Sequence, residues 1–106
     1  MVKENKFQMD LKKELKLRFP GCIVQKLDPN DMQGIPDLLV LYGPYWATLE
    51  VKRSANAPHR PNQDYYVNLM DQMSFSRFIH PDNKEEVLDE LSHAFRSNGK
   101  TRISKR

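Results

Sequence analysis

Gly34-Ile35-Pro36-Asp37-Leu38-Leu39-Val40-Leu41-Tyr42, followed after Gly43-Pro44-Tyr45 by Trp46-Ala47-Thr48-Leu49-Glu50-Val51-Lys52-Arg53, sets the architecture of the chain. After its first residue, Asp37–Tyr42 is continuously apolar, as a central strand covered on both faces must be. Gly43-Pro44 breaks the run and supplies a turn. Trp46–Arg53 then reads as the returning strand of an antiparallel hairpin. Side chains alternate along a strand, so Leu49 and Val51 face one way while Glu50 and Lys52 face the other. Asp37 opens the first strand and meets Glu50 across the ladder if the hairpin register is suitable.

Working outward, apolar residues at Phe7, Leu11, Leu15 and Phe19 fall at helical spacing, and Pro20-Gly21 stops that helix. Cys22–Leu27 is short and rich in β-branched residues and predicts a strand. Asp28–Pro36 is dense in turn formers and predicts an irregular connection. Beyond the hairpin, Ser54–Pro61 is a loop. Asn62 is placed to cap a helix running to about Met73, with Tyr66, Leu69, Met70 and Met73 on one face. Tyr65, Tyr66 and Trp46 are read as core residues rather than base-stacking ones. Phe75–His80 predicts a fourth strand. Asp82 is placed to cap a final helix through Val87, Leu88, Leu91 and Phe95, ending near Gly99. The expected order is α-β-β-β-α-β-α, an α/β domain with a mixed sheet flanked by helices.

Two carboxylates converging at the end of a sheet make an oxygen-rich site for a hard cation, Mg²⁺ or Mn²⁺. Such a site suits phosphodiester hydrolysis, with Lys52 orienting water or stabilising charge on phosphorus. An acid two residues before a lysine is not by itself informative. It occurs at Lys6, Lys12, Lys16, Lys52 and Lys84, and only Lys52 stands inside an apolar strand preceded by a Pro-Asp that opens another. His59 and Arg60, in the loop leaving that strand, are placed for backbone phosphates, as is Arg53. His59 has no His or Cys partner at ligand spacing, so a phosphate contact is the better reading than a metal ligand.

The chain of 106 residues, 39% hydrophobic and 29% charged, fits one soluble globular domain. Its apolar runs are too short to span a bilayer, and no signal peptide is visible. The single cysteine, Cys22, reads as a small residue on a strand and suits a reducing cytoplasm. The net charge of +3 comes from one end. Lys100, Arg102, Lys105 and Arg106 stand in residues 97–106 without an acid, and the rest of the chain is near neutral. We therefore expect one folded domain over residues 1–96 and a basic, flexible tail over 97–106, with Lys100 and Arg102 adding attraction to phosphates.

Gly34-Ile35-Pro36-Asp37 followed by Glu50-Val51-Lys52 resembles the core signature of PD-(D/E)XK nucleases. Within that superfamily the chain is most similar to small VRR-NUC-like and phage endonucleases, including junction-resolving enzymes. The likeness runs from about Glu4 to Met73. It implies a restriction-endonuclease-like fold in which Asp37, Glu50 and the Val51 carbonyl ligate the metal and Lys52 is the catalytic lysine. It also implies a further acid from the first helix, for which Glu4 is preferred over Glu14, and a catalytic glutamine at Gln63. The expectation is a metal-dependent DNA endonuclease, structure-specific or nicking, in the cytoplasm (the host's, if phage-encoded). A domain this small suggests a homodimer. The rival from another class is a non-catalytic nucleic-acid-binding module that has kept the nuclease fold.

Overall fold

The computed structural model describes residues 3–104, with side chains for residues 3–96. Helix α1 (Glu4–Arg18) carries Phe7, Leu11 and Leu15 on one buried stripe. Glu4 in its first turn and Lys16 and Arg18 in its last complement the helix dipole. The chain reverses at Gly21, whose φ of 89° suits glycine. It then enters β1 (Ile23–Lys26) and, after an irregular connection, β2 (Leu38–Tyr42) and β3 (Tyr45–Val51). Helix α2 (Pro61–Met73), β4 (Ser76–Ile79) and α3 (Lys84–Ser104) complete the expected α-β-β-β-α-β-α order.

The four strands lie in the order β1-β2-β3-β4. The first three are antiparallel, with Leu38 opposite Leu49 and Val40 opposite Ala47 in the β2–β3 hairpin. β4 adds parallel to β3, with Glu50 opposite Phe78, and α2 is the crossover that a parallel pair requires. The core lies on the sheet face toward α1 and α3. There Leu38, Val40, Leu49, Val51 and Ile79 meet Leu11, Leu15, Leu88, Leu91 and Phe95. Phe19, Tyr42 and Phe95 close one end with edge-on and stacked contacts at 5.2–5.6 Å. On the opposite face α2 packs over β3 and β4, above Thr48 and Ser76, which hydrogen-bond to each other at 2.7 Å.

The structure differs from the sequence expectations at several element ends. Arg60, not Asn62, stands before α2, because Pro61 occupies the first helical position, where its fixed φ and missing N–H fit. Along α2 only Val67 is buried. Tyr65, read as core, is 60% exposed, and so is Met73. Tyr65 lies about 200° around the helix from Val67, on the solvent side. Asn83, not Asp82, borders α3: its side chain accepts from the His80 N–H and donates to the Phe78 carbonyl, tying the helix start to β4. α3 also runs past Gly99 to Ser104. An interior glycine costs only about 1 kcal/mol relative to alanine, and no proline follows to forbid continuation. Lys100 and Arg102 therefore fall within α3, although their side chains lie outside the described residues. Among the described residues no helix is long and apolar enough to cross a membrane.

Candidate active site

Asp37 immediately precedes β2, one step beyond the Leu38–Leu49 pair, which sets it opposite Glu50. Its Oδ2 accepts the Val51 N–H at 2.8 Å, so the aspartate also ties the two strands together. Glu50 and Lys52 share the face away from the main core, as strand alternation dictates. Both are nearly enclosed, at 3% and 8% exposure.

Few cations sit close enough to neutralise the two acids. Burial pushes the Glu50 carboxyl up to about 8; the neighbouring Asp37 charge raises it further, the Lys52 ammonium opposes the rise, and Glu4 adds to it. Burial also raises Asp37, against the lowering influence of the Val51 N–H and of the Lys52 and Lys26 charges. Two neighbouring carboxyls, one buried and one partly buried, each raised by burial, are the arrangement expected where a hard cation belongs.

Lys52 does not neutralise Glu50 closely. Its Nζ stands 3.7 Å from Glu50 Oε2. It donates instead to the Pro58 carbonyl at 3.1 Å and to Gln63 Oε1 at 2.9 Å. Gln63 is the connector of the site. Its Oε1 also accepts the Arg60 backbone N–H at 3.0 Å, while its Nε2 donates to Glu50 Oε2 at 3.1 Å. The same side chain thus caps α2 and fixes both Lys52 and Glu50.

Two hollows flank this cluster. One, of about 250 Å³, is lined by Asp37, Glu50, Asn30, Gln33, Arg60 and Gln63, among others. The second, of about 710 Å³, is a cleft lined by Lys3, Glu4, Lys52, Arg53, His59 and Arg60, together with Gln63, Ala57 and Pro58. Arg60 and Gln63 form the wall common to both. The expected site residues Asp37, Glu50, Lys52, Gln63, Glu4, Arg53, His59 and Arg60 are therefore brought together around two adjoining hollows. Glu14 is elsewhere, bonded to Lys84 at 2.8 Å and near Arg18 at 3.8 Å. Cys22 is half-buried with its thiol on the Leu15 carbonyl, and burial raises its pKa, so it is not an activated nucleophile.

Several features escape sequence reading. Residues of the irregular connection, Asn30 and Gln33, line the carboxylate hollow. Gly34 (φ 88°) lets that connection lie against α2: a Cβ there would stand 2.7 Å from Asn62 Cγ. His59 stacks on Phe78, with ring centroids 3.8 Å apart and planes at 12°, and its Nδ1 lies 3.0 Å from Asp64 Oδ1. The spacing of His59 and Asp64, five residues apart across a helix start, is the one sequence signal that points to their pairing.

Oxygen donors are what the site offers. Among the described residues no cluster of three or more His, Cys, Asp or Glu forms. Two carboxylates suit a hard divalent ion that keeps other oxygen ligands, from backbone, water or substrate, as Mg²⁺ does. They do not suit zinc, which seeks four nitrogen, sulfur or carboxylate ligands.

No family model matches the sequence, and no curated protein matches it. Solved structures do. One described as a "VRR_NUC domain protein" superposes with a TM-score of 0.62 at 15% identity, over 85% of this chain and 88% of that one. Another, described as a "VRR_NUC domain", gives a TM-score of 0.60 at 27% identity, over 88% of this chain and 98% of that one. The chain is an α/β domain with the fold of the PD-(D/E)XK nucleases. Within that class its fold is VRR-NUC-like.

Proposed function

We propose that this protein is a metal-dependent DNA endonuclease that hydrolyses phosphodiester bonds, either structure-specific for branched DNA or nicking. The observation that carries the reading is the under-neutralised pair Asp37–Glu50, beside a lysine held by two carbonyl acceptors and above a cation-lined cleft. Asp37, Glu50 and the Val51 carbonyl would hold Mg²⁺ or Mn²⁺. When bound, such an ion neutralises charge on the phosphate and makes water more acidic. Lys52, anchored by Pro58 and Gln63, orients the attacking water and meets charge developing on phosphorus. Gln63 keeps Lys52 and Glu50 in register with each other, and Glu4 supplies a further acid at the mouth of the cleft. Arg53, His59 and Arg60 take the flanking phosphates, with Lys100 and Arg102 adding attraction at longer range.

A homodimer is part of the reading. Ile23, Leu41 and Trp46 form one cross-strand row on the sheet face that carries α2. Ile23 is 59% and Leu41 39% exposed. A second copy covering this row would offer two sites to two strands.

The test is cleavage of supercoiled plasmid and of branched and linear DNA, with Mg²⁺ titrated from zero. The wild type is expected to cut only with metal. Asp37→Asn, which keeps an acceptor for the Val51 N–H, and Lys52→Ala are expected to lose cutting at least 100-fold while melting normally, a loss typical of removing one transition-state stabiliser. Full activity in both variants would refute the site. DNA binding without cutting in any divalent metal would establish the non-catalytic module instead.

A further inference from the structure

We propose that His59 is a catalytic residue that gives a proton to the leaving oxygen of the scissile phosphodiester, an assignment that rests on the nuclease reading above and goes beyond a phosphate contact. The imidazole is built in from two sides. Asp64, in the first turn of α2, faces Nδ1 at 3.0 Å, and the Phe78 ring supports the imidazole face at 3.8 Å. The Asp64 carboxylate accepts the Nδ1–H, so the ring that acts as acid is the imidazolium, with its second proton on Nε2. A histidine oriented by a carboxylate through one ring nitrogen, with the other turned to a cleft, is the arrangement proton transfer needs.

Its place in the site follows from the sheet. Phe78, beneath His59, is the cross-strand partner of Glu50, so the imidazole lies one strand over from the catalytic carboxylate and one layer above the sheet. His59 lines the large cleft together with Lys52, while Asp37 and Glu50 line the smaller hollow. Arg60 and Gln63 border both. A phosphodiester seated against that common wall would meet the two carboxylates from the smaller hollow and His59 from the cleft, with Lys52, bonded to Gln63 of the wall and 3.7 Å from Glu50, at the border between them; an in-line displacement needs its two ends so separated. The charged groups around the ring are Asp64 on its Nδ1 and Lys3, Glu4, Lys52, Arg53 and Arg60 around the cleft.

The step balances as an ordinary hydrolysis. A water oxygen forms a bond to phosphorus, and the phosphorus–oxygen bond on the far side breaks with its electron pair staying on the leaving oxygen. That oxygen takes the Nε2 proton of the His59 imidazolium and departs as an alcohol, leaving the neutral ring with its Nδ1–H on Asp64. The attacking water's surplus proton passes to solvent, from which His59 is reprotonated.

A structural reading competes with this one. His59 and Asp64 stand at the residue before the cap and at the fourth residue of α2, positions where a staple across a helix start is common. The two roles separate with a substrate whose bridging leaving oxygen is sulfur, because a thiolate leaves without a proton. We would compare wild type with His59→Gln, which retains a hydrogen-bond donor but cannot transfer a proton. Both the oxygen ester and its bridging phosphorothiolate (sulfur at the 3′ and, separately, the 5′ position) would be followed in single-turnover reactions with Mn²⁺. The expected result is a loss of about 100-fold on the oxygen ester and a difference under 3-fold on the sulfur ester of the cleaved position, with unchanged thermal melting. Equal losses on both esters, or no loss on either, would overturn the proposal while leaving the nuclease reading intact. A wild type that cuts neither substrate in any divalent metal would overturn both.

Discussion

Replacing Glu50 by glutamine removes a carboxyl that the fold forces to keep its proton. In the unfolded chain this group titrates at its ordinary 4.5, and in the folded protein burial and Asp37 push it up to about 8. Between those values the folded state holds a proton that the unfolded state has released. Stability from this group is therefore complete below pH 4.5, falls as pH rises toward 8, and is flat above it. At pH 7 the interval of 2.5 pH units above 4.5 corresponds to a ceiling of about 3 kcal/mol. Water entering from the adjoining hollow relaxes the charged form, which leaves about 1–2 kcal/mol. Glutamine keeps an acceptor for Gln63 Nε2 and carries no charge. Glu50→Gln is thus expected to raise the melting temperature of metal-free protein at pH 7.5 by about 5–10 °C, and to melt with the wild type at pH 4.5. The assay is thermal unfolding in EDTA across pH 4.5–8.5, where groups common to both proteins cancel. Mg²⁺ is expected to stabilise the wild type at pH 8 and not the variant. Parallel melting curves at every pH would show that Glu50 is not held protonated in the folded protein.

Other substitutions probe the remaining parts. Gly34→Ala sets a Cβ 2.7 Å from Asn62 at a φ of 88°; it is expected to cost about 1–3 kcal/mol in denaturant unfolding and to impair cutting more than stability alone explains. Glu14→Gln removes the Lys84 partner and is expected to lose at most about 1 kcal/mol with cleavage unchanged, whereas Glu4→Gln is expected to slow cleavage while costing, as a lost helix-dipole partner, no more than about 1 kcal/mol. Leu41→Glu places a charge in the exposed apolar row; sedimentation is expected to show a monomer where the wild type is a dimer, and a dimer in both would exclude that face.

The hairpin and its chemistry were legible because strand alternation is rigid. Once Asp37–Tyr42 and Trp46–Arg53 are strands joined by Gly43-Pro44, the side on which Glu50 and Lys52 project follows. The observed Leu38–Leu49 register is the one that sets Asp37 against Glu50. Helical stripes were legible where the core surrounds a helix, as with Phe7, Leu11 and Leu15 on α1. They misled on α2, which rests on only two strands and buries a single residue, Val67, so that an apolar Met73 and the ring of Tyr65 remain at the surface. Contacts between distant segments carry no local pattern. The three-way commitment of Gln63 depends on where the Pro58 carbonyl and Arg60 N–H arrive in space. The Gly34–Asn62 approach depends on how the Asp28–Pro36 connection folds back, and His59 on Phe78 depends on β4 lying parallel beside β3.

Direct titration of Mn²⁺ into the metal-free protein at pH 8, followed by calorimetry, tests the shared-ion site without requiring any substrate. Wild type and Lys52→Ala should both bind, more tightly at pH 8 than at pH 6 as the carboxyl pair gives up its proton. Asp37→Asn and Glu50→Gln should each abolish that binding. Undiminished Mn²⁺ affinity in either carboxyl variant would contradict the account.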